Sequence, residues 1–313
     1  MALDPQCQAV IARLGASSFA GTTPAEIRAA YETARRPLQP PAPEVADVED
    51  VSIVGAGGPI AARLYTPLGA SGDVLPALVY LHGGGWMLGS VAGYDTLCRI
   101  LADLARCKVL SVDYRLAPEH PFPAGYEDSL AALDWLHANA GRFGVDPTRL
   151  AIGGDSAGGN ISAAVALAVR DRGGPALALQ VLIYPSVDLA AETPSYVENG
   201  EGNLLTRAAL RQFIATYVPD PRDRLDWRAS PLRVASVADV APAYVLTAEH
   251  DPLRDEGLAY AGRLAAAMVE TTLVCHVGMI HPFLSMGGAI DRAALAQRQI
   301  AQALRRAFKT DHG

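Results

Sequence analysis

Residues 153 to 160 read Gly-Gly-Asp-Ser-Ala-Gly-Gly-Asn, and they lie where an apolar run, Leu150–Ile152, gives way to a small-residue helical pattern, Ile161–Arg170. A serine held between glycines at a strand-to-helix junction is the pattern of a nucleophile on a sharp turn, G-x-S-x-G, here Gly154, Ser156 and Gly158. Gly154 and Gly158 lack the Cβ atoms that would collide across such a turn, so Ser156 can hold a strained conformation with its hydroxyl pointing outward. A helix starting directly behind the serine offers free N–H groups to developing negative charge. The competing reading is a phosphate-cradling loop or a merely tight turn. A phosphate loop of the P-loop kind would need Gly-Lys-Ser/Thr at its end, and this segment has no lysine.

A hydroxyl is a poor nucleophile until a base takes its proton, and that base must itself be oriented. Two later apolar runs end next to suitable groups. Tyr244–Thr247 leads into Ala248-Glu249-His250-Asp251-Pro252-Leu253-Arg254-Asp255-Glu256-Gly257, and Thr271–Val277 leads into Gly278-Met279-Ile280-His281-Pro282. Ser156, Asp251 and His281 therefore follow successive strand ends in the order Ser…Asp…His. That is the order of α/β-hydrolases, and not of chymotrypsin or subtilisin. In the implied cycle His281 takes the Ser156 proton and later returns it to the leaving alcohol. Asp251 orients the imidazole, and water repeats the sequence. The base must be neutral to accept a proton, so rate should fall on acidification. Glu249 and Asp255 are alternative acids nearby. His276 lies within a strand pattern and reads as structural, His250 as a neighbour, and His120, His137 and His312 have no catalytic context.

An oxyanion needs donors. His82-Gly83-Gly84-Gly85-Trp86 follows the apolar run Ala77–Leu81. Two N–H groups among Gly83, Gly84 and Gly85, with that of Ala157 after the nucleophile, would form the hole. His82 would order this loop by hydrogen bonding. Trp86, Tyr184 and Phe283 are candidates for the substrate pocket, and Asp155, beside the nucleophile, for a supporting place in it. Tyr114 and Arg115 read as braces of the loop after a strand, and Asn160 as a brace of the elbow helix.

The elements that must carry these residues are legible as alternation. Short strands are predicted around Val45–Val54 and Ile60–Thr66, joined at Gly55-Ala56-Gly57-Gly58, which reads as a hairpin turn because a strand pattern follows it. Apolar runs at 77–81, 109–112, 150–152, 179–183, 244–247 and 271–277 alternate with helical patterns near 94–106, 124–140, 161–172, 257–269 and 291–308. This predicts a mainly parallel central sheet of about eight strands covered by helices on both faces, with ligands outside the carboxyl ends of its strands. Thr23-Pro24-Ala25-Glu26 opens a helix with a capping threonine, a proline and a glutamate three residues after the cap. That helix ends near Arg36, before Pro37, Pro40, Pro41 and Pro43. The stretch from Ser186 to Leu232 breaks the rhythm, with a short helix near Thr206–Tyr217. The expected organisation is a helical cap segment at 1–45, a core at 46–185 and 233–313, and a cap insertion at 186–232.

Composition narrows the function classes. Of 313 residues, 50% are apolar and 19% charged, and the net charge is −7. The only lysines are Lys108 and Lys309, no basic stripe appears, and nucleic acid is not an expected partner. No apolar stretch reaches the length of a membrane span, and no secretory signal pattern opens the chain, so a cytoplasmic location is expected. Cys7, Cys98, Cys107 and Cys275 form no C-x-x-C pair and read as free thiols, with a Cys98–Cys107 bond left open. Asp251 and Asp255 lack the further oxygen ligands that a hard cation needs, so neither a metal nor a cofactor is expected.

Taken together, His82–Trp86, Tyr114-Arg115-Leu116-Ala117-Pro118-Glu119-His120-Pro121-Phe122-Pro123-Ala124, Gly154–Asn160, Asp251–Gly257 and His281 resemble the hormone-sensitive lipase-like esterases, the bacterial family IV carboxylesterases. The likeness runs from about residue 50 to the C-terminus. It implies an α/β-hydrolase fold with a helical cap, and Ser156, Asp251 and His281 as a triad. It also implies Gly84 and Gly85, with Ala157, as oxyanion donors, Gly83 being less certain. The implied reaction is hydrolysis of short- to medium-chain carboxylic esters through an acyl-enzyme, with a small ester and water as partners. Relatives often dimerise through the edge strand near Thr271–Val277. Pro282 departs from the family, which often has glycine there, and the first forty residues match none of its motifs. An amidase or lactonase with the same triad, or a receptor on a retired hydrolase scaffold, are the other readings.

Overall fold

The computed structural model describes residues 2–15, 21–70 and 72–310. His312 lies outside them. Among the described residues eight strands form one sheet: β1 Asp47–Gly55, β2 Gly58–Thr66, β3 Leu75–Leu81, β4 Lys108–Val112, β5 Val145–Asp155, β6 Leu177–Ile183, β7 Ala243–His250 and β8 Thr271–Ile280. Their order is β1-β2-β4-β3-β5-β6-β7-β8. The β1–β2 and β2–β4 pairs are antiparallel, and every later pair is parallel. The hairpin predicted at residues 55–58 pairs Gly55 with Gly58.

The strands in the middle of the sheet are apolar because both faces are covered. In β3, Ala77, Val79 and Leu81 join one apolar cluster, while Leu78 and Tyr80 join the other. The two-residue period of a strand thus feeds two cores from one run of sequence. One cluster is closed by α4 (Ala124–Ala138), α5 (Ala157–Asp171) and α8 (Arg254–Ala266), which contribute Leu133, Ile161 and Leu264. The other is closed by α3 (Asp95–Ala105) and α9 (Arg292–Phe308), with Leu101, Ile300 and Leu304. Residues 157–169 of α5 are buried on every side, which explains a composition of alanine, glycine and serine with only a few larger apolar residues.

Among the described residues, the α-helices α1 (Pro5–Leu14) and α2 (Pro24–Arg35) precede the sheet. The sequence signal at the start of α2 is realised in full. Thr23 accepts from Glu26 N, and the Glu26 side chain returns a bond to the backbone N–H of Thr23. Between β6 and β7 the chain forms α6 (Pro194–Glu198) and α7 (Arg207–Tyr217), the latter capped by Thr206. The face of α7 formed by Leu210, Phe213, Ile214 and Tyr217 is buried. All four cysteines are free, so Cys98 and Cys107 are not bonded to each other.

Candidate active site

Ser156 stands between the end of β5 and the start of α5 with φ 56° and ψ −116°, a backbone conformation that side-chain-bearing residues rarely adopt. The surroundings enforce it. The Ser156 N–H donates to Ile183 O at 2.8 Å, and the Ser156 carbonyl accepts from Asn160 N at 3.0 Å. Gly158 is required by crowding, since a Cβ there would sit 1.9 Å from Leu81 O. The elbow is therefore wedged against the end of β3, where the glycine loop begins.

His281 follows β8 and is buried. Its Nδ1 lies 2.8 Å from Asp251 Oδ2. A carboxylate only accepts, so the proton of that contact belongs on Nδ1 and Nε2 is left as an acceptor. Asp251 is fully buried, and its other oxygen accepts from Leu253 N at 2.9 Å. The other acids considered do not bond the imidazole. Glu249 accepts from Gly278 N, and Asp255 accepts from Ser195 N and Arg254 Nε. The Tyr184 ring meets His281 edge-on with centroids 4.6 Å apart.

Ser156 and His281 line one pocket. Gly84, Gly85 and Trp86 form one side of it, Leu14, Tyr31 and Arg35 of α1 and α2 another, and Leu204, Leu205, Leu210 and Phe213 between β6 and β7 a third. The walls are mostly hydrophobic, as expected of a site for a small, largely apolar molecule.

Three of the sequence-based expectations need correction. Gly83 does not point its N–H into the pocket, because that group donates to Asp155 Oδ1 at 2.9 Å. Gly84 and Gly85 line the pocket and Gly83 does not. Tyr184 and Phe283 are not pocket residues either. Both are fully buried in the cluster that α3 and α9 close, with their rings 6.2 Å apart. The expected supports are found. Asp155 accepts from Tyr80 Oη at 2.8 Å and Tyr94 Oη at 3.0 Å in addition to Gly83. These bonds tie the glycine loop to the elbow. His82 Nδ1 donates to Gly83 O at 2.9 Å, and its ring stacks on Tyr114, whose hydroxyl donates to His82 O at 2.6 Å. Burial lowers the His82 pKa, which keeps the ring neutral. Trp86 lines the pocket, donates to Asn160 Oδ1 at 3.2 Å and stacks on Tyr217 with centroids 4.7 Å apart. Arg115 grips Asp128 with both forks.

Sequence reading missed Arg35 and Glu256. Ile27, Tyr31 and Arg35 are spaced four apart, so an arginine continues an apolar stripe of α2. Glu256 is completely buried in α8, where it accepts from Val187 N at 2.7 Å and Tyr196 Oη at 3.1 Å. It thereby ties the segment after β6 to the core. Burial pushes its carboxyl up to about 8 from 4.5. A raised folded pKa gives stability that is complete below the unfolded value and is lost as pH rises through the folded one. The protein should therefore lose stability between pH 4.5 and about 8 on this account. The slope should approach about 1.4 kcal/mol per pH unit between those two values, where the folded carboxyl keeps its proton and the unfolded one has lost it. Glu256→Gln should flatten that stretch of a melting-temperature profile. Parallel profiles for the two proteins would contradict the assignment.

Among the described residues no three His, Cys, Asp or Glu side chains are grouped to hold a metal ion. No helix among them is long and apolar enough to cross a membrane.

The family with the α/β-hydrolase fold is matched over residues 78–285. The chain belongs to that family. This α/β hydrolase is 44% identical over 272 residues to the carboxylic ester hydrolase LipN of Mycobacterium tuberculosis, covering 85% of this chain and 72% of that protein. It is 39% identical to an ethyl acetate hydrolase of Pseudomonas putida, covering 89% of each. Among solved structures, a hyperthermophilic esterase from Pyrobaculum calidifontis superposes with a TM-score of 0.92 at 40% identity, over 98% of this chain and 99% of that one. The ester hydrolase EH1AB1 from the Lake Arreo metagenome, solved with a derivative of bipyridine phosphonate, gives 0.94 at 41% identity over 98% and 100%. The likeness of the hydrolase to hormone-sensitive lipase-like esterases, read from its motifs, is borne out.

Proposed function

We propose that this α/β hydrolase is a serine carboxylesterase in which Ser156 is the nucleophile, His281 the general base and acid, and Asp251 the residue that orients and charges the imidazole. The observation that carries the reading is the strained Ser156 sharing a pocket with an imidazole whose other nitrogen is fixed on a buried carboxylate. Ser156 Oγ attacks the ester carbonyl as His281 Nε2 takes its proton. The carbonyl oxygen becomes an oxyanion facing the N–H groups of Gly84, Gly85 and Ala157. The C–O bond to the alcohol breaks as His281 returns the proton to it. Water, deprotonated by the same nitrogen, then cleaves the acyl-enzyme and restores the serine.

The same reading assigns 1–45 and 186–232 to a cap and 46–185 with 233–313 to the catalytic core. The support is that both cap stretches contribute pocket walls. A short- to medium-chain ester is the substrate class that suits this pocket. Three buried free thiols suit a reducing cytoplasm, and β8, at the sheet edge with Leu273 and Val277 exposed, is the strand through which two copies would pair.

A panel of p-nitrophenyl acetate, butyrate and hexanoate beside the matched anilides and a lactone tests the function. The esters are expected to turn over with kcat/KM at least roughly 100-fold above the anilides, a difference of about 2.7 kcal/mol in barrier. A preference for the anilides or the lactone would assign the triad to amide or lactone hydrolysis instead.

A further inference from the structure

Among the described residues, the pocket wall carries one charged donor for which the proposed ester hydrolysis has no use. Arg35 lines the pocket beside Tyr31 and is only 4% exposed. Its guanidinium lies 4.8 Å from the ring centroid of Tyr31 and 4.4 Å from that of Tyr94. Nη2 donates to Ser285 Oγ at 2.9 Å. Nη1 is buried without a hydrogen-bond partner among the described residues. Arginine stays protonated in proteins, and a buried charged donor left unmet is costlier than a neutral one.

The charges around it decide what would satisfy Nη1. Arg35 feels the carboxylates of Asp155 and Glu32. Both have other partners: Asp155 holds Tyr80, Tyr94 and Gly83, and Glu32 accepts from Ser90 Oγ at 3.3 Å. Their negative charge favours the buried guanidinium, and a third carboxylate would meet two like charges in a buried setting. A neutral oxygen acceptor meets no such opposition. Resting on the esterase reading, we propose that Arg35 is a specificity-determining residue whose Nη1 receives a neutral oxygen, so that preferred esters carry a second oxygen function, such as an oxo, alkoxy or second ester group, on the arm that runs toward α2.

The test compares kcat/KM for p-nitrophenyl 4-oxopentanoate and 5-oxohexanoate with pentanoate and hexanoate, and for 4-oxopentyl acetate with pentyl acetate. Each pair is normalised to its alkaline hydrolysis rate. In at least one arm the oxo ester should be favoured roughly 10-fold or more, the scale of a hydrogen bond to a charged donor. That ratio should vanish in Arg35→Met and shrink several-fold in Arg35→Gln, which keeps a weaker neutral donor. Wild-type ratios near one in both arms would overturn the proposal, and would do so without any variant. So would a preference that persists undiminished in either substitution. A wild type that hydrolyses none of the plain esters would instead sink the esterase reading, and the proposal with it.

Discussion

Ser156→Ala is expected to lower kcat for p-nitrophenyl butyrate by roughly 10⁴- to 10⁶-fold, the range seen when a triad nucleophile is removed. The size follows from what remains. Alanine leaves the proposed oxyanion donors, Gly84, Gly85 and Ala157, and the pocket walls in place, so on this reading only binding and electrostatic help to water survive. It should also leave the fold intact. The bonds that hold the elbow are backbone bonds, from Ser156 N to Ile183 O and from Asn160 N to Ser156 O, and neither involves Oγ. Melting temperature should therefore move little while turnover collapses. Residual activity within roughly 10-fold of wild type would place the nucleophile elsewhere.

The second large effect is expected from Asp251→Asn, at roughly 10³- to 10⁴-fold in kcat. The carboxylate accepts from His281 Nδ1 and from Leu253 N at once. An amide can accept with its oxygen from only one of them. If its oxygen stays on Leu253 N, its NH2 faces Nδ1 and favours the tautomer with the proton on Nε2, the nitrogen that must be free to take the serine's proton. The charge that steadies the imidazolium is lost in either orientation. Since the site is fully buried, solvent does little to replace it. Equal substitutions at Glu249 and Asp255 should have far smaller effects, because those carboxylates bond Gly278 N and Ser195 N instead. A larger loss at either than at Asp251 would reassign the acid.

The sheet was legible because strands buried on both faces read as unbroken apolar runs. Lys108–Val112 and Leu177–Ile183 extend the predicted 109–112 and 179–183 by one and two residues at the start. Where a strand leaves the core its signal fades. Val145–Asp155 begins well before Leu150: Asp146, Thr148 and Arg149 are polar and, with Pro147, partly or wholly exposed, and these four fall in the register shift between the Leu75–Val145 and Ala77–Leu150 pairs of β3 and β5. The five-residue helix Pro194–Glu198 is too short to show a period.

The elbow was legible for a different reason. Its glycines answer to a local turn and to the close approach of Leu81, and both leave a mark on residue type. The direction of the Gly83 N–H has no such mark, because it is set by Asp155 across 72 residues of chain. Tyr184 and Phe283 follow strand ends, where a side chain can turn to the pocket or to the core. They turn inward to contact one another, and Phe283 also meets His276. Arg35 did leave a signal, an arginine in register with Ile27 and Tyr31. An apolar stripe that ends on a cation is easily read as a helix terminus, where basic residues are favoured in any case.

Covalent capture of the nucleophile tests the central claim most directly. Incubation with a p-nitrophenyl alkylphosphonate, followed by intact-mass measurement and peptide mapping, should give one adduct per chain. It should lie on the peptide containing Ser156, with release of nitrophenol and loss of esterase activity in step. Ester hydrolysis that continues with Ser156 unmodified, or an inactivating adduct on any other side chain, would contradict the account.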